Sequence, residues 1–135
     1  MKKLLFVLMA AFVQPQVADA GAITGNDLLE ACSANGNPIM ATACSFYAIS
    51  ALDNLKWGAF IANRNHLKSS VSAIEMDMMT RAELRYCDPT GVTHQQIVEI
   101  VRSYLEQNPE TRDNSAANLI HLAFIEAFPC PDTAD

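Results

Sequence analysis

Apolar residues recur along this chain at three- and four-residue steps rather than in alternation, the spacing that gathers them on one face of a helix. In Thr24-Gly25-Asn26-Asp27 an acidic residue stands three places after a threonine, a capping-box pattern. Leu28, Leu29 and Cys32 then share a face, and Asn35-Gly36 is a stop signal. After Pro38 a second helix is predicted, because Cys44, Tyr47, Ala48, Ala51, Leu52, Leu55, Ala59 and Ala62 form one apolar stripe. Tyr47 and Trp57 are expected to pack in the core.

The stretch 63–86 is harder to read. Ser72-Ala73-Ile74-Glu75 can open a further helix, in which Met76, Met78 and Met79 are expected as gap-filling core. The clearest helix follows. Thr93 and Gln96 form a capping box, Val92 can staple onto Ile97, and Ile97, Val101, Tyr104 and Leu105 make the buried face. Glu99, Arg102 and Glu106 fall outside, and Asn108-Pro109 ends the element, since a residue before proline is disfavoured in the helical region. In the last helix Ala116, Ala117, Leu119, Ile120, Ala123, Phe124, Ala127 and Phe128 nearly encircle the axis, so it belongs at the centre; Pro129 terminates it. The expected fold is all-α, a small disulfide-stapled bundle of four to five helices. No internal repeat or low-complexity linker interrupts it.

The first twenty residues follow a different pattern. Lys2 and Lys3 precede the apolar run Leu4–Val13, and Ala18-Asp19-Ala20 is a small-residue cleavage site, so 1–20 reads as a secretory signal peptide and 21–135 as one mature domain. The apolar run is far shorter than the roughly 20 residues a spanning helix needs, and no membrane attachment is expected after cleavage. The chain carries 9 basic and 15 acidic residues; the leader takes Lys2, Lys3 and Asp19, which leaves the mature part at −7. That sign argues against nucleic acid and anionic membranes, and suits a cationic protein partner.

Export changes the meaning of Cys32, Cys44, Cys87 and Cys130. An even cysteine count in a short exported chain implies a disulfide framework, with three connectivities open. No C-x-x-C and no histidine at ligand spacing suggests a metal, and no cofactor is expected. There is no G-x-S-x-G, H-E-x-x-H, phosphate loop or dinucleotide fingerprint either. A cysteine–histidine pair is the one catalytic arrangement worth weighing. Yet His121 aligns with Ala117, Phe124 and Phe128 at a core edge, His94 sits in a first helical turn, His66 lies in the hard-to-read stretch, and oxidised cysteines supply no thiolate. The chain is read as a non-enzyme.

Four blocks, "TGNDLLEAC", "CSFYAISALDN", "YCDPTGVTHQQIVEIVRSYLEQNPE" and "AANLIHLAFIEAFPCP", resemble the Rap/Tai family of type VI secretion immunity proteins. The third and fourth are the specific ones: cysteine and proline ahead of a capped helix, then the final aromatic-Pro-Cys-Pro. Two features depart from the pattern. Phe46 and Ser50 stand where the family usually has glycines, so a close helix approach there must be repacked, and the stretch between Asp53 and Cys87 aligns with nothing in the family. The resemblance implies a periplasmic protein that binds a peptidoglycan amidase effector, blocks its cysteine–histidine site, often pairs as a homodimer and carries two stapling disulfides. The alternatives are a general periplasmic helical stress factor or acid chaperone, and a thiol enzyme.

Two expectations are specific enough to fail. Pairing Cys32 with Cys130 would tie both ends of the domain, leaving Cys44 for Cys87. The polar segment 108–115, "NPETRDNS", joins the two best-matching helices, has no apolar residue to hold it to the core, and is framed by Pro109. Because a loop between helices enters the effector cleft in the resembled family, Glu110, Arg112, Asp113 and Asn114 are the candidate partner contacts; the alternative is an ordinary solvated connector, with the binding surface on the stretch 63–86. Glu110 and Asp113 would accept from cleft donors, and Arg112 would reach a carboxylate at the rim. Replacing Glu110, Arg112 and Asp113 together by alanine is expected to leave folding intact.

Overall fold

The computed structural model describes residues 21–34, 36–66, 71–87 and 91–130; the expected leader over 1–20 and Asn35 of the first stop signal lie outside them. The element order is α1 (Gly25–Ser33), α2 (Pro38–His66), α3 (Ala73–Leu84), α4 (His94–Gln107), a single 3-10 turn (Pro109–Thr111) and α5 (Ala116–Ala127). The described residues hold no strand, only an isolated antiparallel bridge between Thr24 and Ser115. The all-α, disulfide-stapled bundle read from the spacing is the fold.

Local chemistry starts these helices where the spacing placed them. Thr24, Ser72 and Thr93 each cap with reciprocal bonds to Asp27, Glu75 and Gln96, satisfying backbone donors that the first turn leaves without partners. Asn37 Oδ1 accepts from the amides of Ile39 and Met40, and Pro38 at the first position needs no donor partner. Val92 and Ile97 line one small cavity beneath the start of α4, as a staple would place them. Arg85 ends α3 in the left-handed region, its amide on the Arg81 carbonyl.

α5 is the central helix, with Ala116, Leu119, Ile120, Ala123 and Phe124 buried. It meets Leu28 from α1, Ala48 and Leu52 from α2, and Val101 and Leu105 from α4 in one cluster. Each buried leucine, isoleucine or phenylalanine side chain contributes about 1.5 to 3 kcal/mol by leaving water. Leu84 and Tyr86, from the stretch the periodicity did not resolve, belong to the same cluster. Tyr86 packs edge-on against Phe124, and His121 Nε2–H donates to the Leu84 carbonyl at 2.7 Å. His121 is half-buried at the core edge, as its spacing indicated.

Four expectations require correction. The disulfides join Cys32 to Cys44 and Cys87 to Cys130, not Cys32 to Cys130 and Cys44 to Cys87. A short turn folds α2 back on α1 and brings Cys32 and Cys44 to a Cα separation of 5.1 Å. The Cys87 amide donates to the Phe128 carbonyl, so Cys87 lies beside the end of α5 and within 4.8 Å of Cys130, inside the range a disulfide spans. The staple that holds Phe128-Pro129-Cys130 therefore comes from the segment preceding α4. Second, the methionines are not core: Met78 is 60% and Met79 37% exposed, while Met76 is half-buried at a groove. α3 lies at the periphery, packed on α2, and has only one face to bury. Third, Trp57 is 63% exposed and stacks on Phe60, its neighbour along α2, rather than entering the core. Fourth, Ala62 and Ala127 lie at outer helix ends and are exposed.

Candidate partner-binding surface

The segment 108–115 is short and polar, and its structure comes from where its backbone bonds go. At the end of α4, the Asn108 amide and its Nδ2 both donate to the Tyr104 carbonyl. Pro109 begins the 3-10 turn, and the Thr111 amide and hydroxyl return to the Asn108 carbonyl. Arg112 then turns inward. Its Nε donates to the Leu105 carbonyl at 2.5 Å and its Nη2 to the Glu106 carbonyl at 3.0 Å. These are carbonyls that a helix end leaves without intrahelical partners, and a cation there also suits the negative end of the dipole.

The other side of the segment is built by α1. The amides of Gly25 and Asn26, which have no partners inside α1, donate to the Asn114 and Arg112 carbonyls at 3.1 Å each. Asn26 Nδ2 donates to Asp113 Oδ1 at 2.9 Å, and the Ala116 amide donates to the Ile23 carbonyl at 2.8 Å. Gly25 permits this approach. A Cβ there would stand 2.9 Å from the Arg112 carbonyl oxygen and would overlap Leu119 Cδ1. The segment is therefore a clamped turn wedged between the end of α4 and the start of α1.

The four candidate residues are brought together but are not equivalent. Glu110, Asp113 and Asn114 are exposed on the outer side of the turn. Arg112 is half-buried with its guanidinium committed to backbone carbonyls, which corrects the expectation that it reaches a carboxylate on a partner. For the same reason an alanine there is expected to loosen the turn, where the polar sequence alone suggested no effect on folding. Hydrogen bonds through peptide carbonyls carry no residue-type pattern, so the clamp was not legible.

Glu110 is not isolated electrostatically. Burial of the Tyr104 phenol, and then the carboxylates of Glu126 and Glu110, push its pKa up from the ordinary tyrosine value. Glu126 and Glu110 thus act on one spot, where a groove of about 350 Å³ runs between α4 and α5. A larger groove of about 500 Å³, between α2 and α3, is floored by Phe60, Met76, Leu84 and Tyr86 and flanked by Trp57. Sequence reading missed it, although the aromatic pair Trp57 and Phe60 three residues apart was an available signal.

All four cysteines are in disulfides, so no thiolate is available, and no group of three or more potential ligands among the described residues could hold a metal. Among the described residues no helix is long and apolar enough to cross a membrane. The chain matches a family described as Rap1a immunity proteins over residues 24–130, from the Thr24 cap to Cys130. No curated protein and no solved structure matches.

Proposed function

The chain belongs to the Rap1a immunity protein family, and from that premise we propose that it neutralises a peptidoglycan amidase effector of type VI secretion by binding over the enzyme's cysteine–histidine site. The observation that carries the reading is the family match, which spans the whole of the described bundle. The clamped 108–115 turn adds a physical means. A turn already held by backbone bonds loses little conformational freedom on docking, so its contacts are not offset by a large ordering cost. Glu110, Asp113 and Asn114 make the contacts, with carboxylates accepting from donors of the cleft, and Arg112 keeps the turn in shape.

The protein acts in the periplasm after removal of residues 1–20, where both disulfides persist, and as an inhibitor rather than an enzyme. It is also proposed to pair with a second copy. Ile39, Phe46 and Trp57 are 78%, 68% and 63% exposed. They recur at whole-turn steps along α2, so they form one uncovered apolar face. Phe46→Glu should shift the solution mass from dimer to monomer; an unchanged mass would remove this part of the reading.

The functional test is protection of cells that direct the effector to their own periplasm. Co-expression of the wild-type chain should prevent lysis. A Glu110→Lys, Asn114→Lys variant, with Arg112 retained, should fold with both disulfides and fail to protect. Full protection by that variant would move the contact surface away from the turn, and lysis with the wild-type chain would refute the proposal.

A further inference from the structure

The groove between α4 and α5 has a composition that selects an occupant. Ile100 and Tyr104 from α4 and Ala123 and Ala127 from α5 give it an apolar floor. Glu99 and Glu126 edge it, and its lining contains no lysine or arginine. Glu99 accepts a bond from Gln95 Nε2 at 3.1 Å, and Glu126 is exposed. The nearby bases are engaged: Arg102 lies 3.8 Å from Glu106, and Arg112 is held on the α4 carbonyls. Glu110 adds a further negative charge where the groove meets the clamped turn, because it and Glu126 both act on the Tyr104 phenol. The contrast with the α2–α3 groove decides the matter. There Asp53 and Asp77 are matched by Lys56 and Arg81, so no sign is selected.

We infer that the α4–α5 groove receives a lysine- or arginine-bearing segment of the effector, with the aliphatic stem on Ile100, Ala123 and Ala127 and the cationic head at Glu99 and Glu126. The inference rests on the proposed inhibitory function and extends the contact from the turn along the bundle. A long basic side chain suits such a site because its stem covers apolar surface while its head stays with carboxylates. Complementary charge beside the turn also steers the encounter before the turn engages.

Tetralysine amide serves as the probe, titrated into the oxidised, exported protein and followed by amide NMR, with tetraglutamate as the control. Saturable shifts should concentrate at Ile100, Ser103, Tyr104, Ala123 and Ala127, and tetraglutamate should produce none. Glu99→Gln with Glu126→Gln should weaken tetralysine binding about three- to tenfold, the scale of two exposed charge pairs, while Asp77→Asn in the other groove should leave it unchanged. Shifts spread evenly over acidic positions, or binding unaffected by the double variant, would overturn the inference. With the effector, the double variant should slow association and flatten its salt dependence while the turn still supports neutralisation. If the chain neutralises the effector but the groove takes no tetralysine, only this inference falls. If tetralysine seats and nothing is neutralised, the functional reading falls and the groove remains a cation site.

Discussion

Alanine in place of Gly25 should destabilise the protein, although Gly25 is helical and such a change normally helps a helix. The Cβ would stand 2.9 Å from the Arg112 carbonyl oxygen, 3.1 Å from Arg112 Cα, and against Leu119 Cδ1. None of these neighbours retreats easily. The Arg112 carbonyl accepts from the Asn26 amide, its side chain is tied to α4, and Leu119 is 1% exposed in the core. Overpacking of this kind costs about 1 to 3 kcal/mol. Relief of glycine's backbone entropy returns at most about 1 kcal/mol, and less in a first turn. The net expectation is a loss of about 1 to 2 kcal/mol. Gly58→Ala supplies the control, because Gly58 lies within α2 with nothing near its Cβ position; it should gain about 0.5 to 1 kcal/mol. Urea unfolding of both variants, with the slope unchanged, measures each difference. If both stabilise alike, the start of α1 does not press on the turn and the clamp described above is wrong.

Three further outcomes follow from the same contacts. Arg112→Ala should cost about 1 to 2 kcal/mol, because it strips two charge-assisted bonds from half-exposed carbonyls, and should speed amide exchange at Gly25 and Asn26; wild-type exchange at both would contradict it. Replacing Cys87 and Cys130 by serine should cost about 4 kcal/mol, and replacing Cys32 and Cys44 about 3 kcal/mol, because sequence separations of 43 and 12 close loops of different entropy; the reverse order by denaturant unfolding would count against that account. The hydrogen bonds from Thr24 and Ser72 hold the carboxyls of Asp27 and Glu75 below the ordinary aspartate and glutamate values. A depressed folded pKa gives stability that is present above the unfolded value and lost as pH falls through the folded one. Asp27→Asn and Glu75→Gln should therefore flatten the loss of stability below about pH 4.5, as read by unfolding from pH 6 to pH 2.

The helices were legible because their determinants are local. Thr24, Ser72 and Thr93 cap within three residues, and the stripes of α4 and α5 repeat over several turns. Long-range partners were not legible. Cys32 finds Cys44 through the turn direction between two helices, and Cys87 finds Cys130 through one backbone bond to Phe128. α3 misled for another reason: methionine serves both in cores and on surfaces, and only the packing of α3, chiefly against α2, shows which face is covered. The polar segment 108–115 does connect α4 and α5. Its division into outward Glu110, Asp113 and Asn114 and inward Arg112 depends on carbonyls of α4 and amides of α1, which sequence does not display.

The most direct test of the account is titration of the purified amidase effector with the oxidised chain while peptidoglycan cleavage is followed. Inhibitory function predicts activity falling linearly to zero at a fixed subunit ratio, with no cleavage by the chain alone. Undiminished cleavage at a large excess of the chain would contradict it.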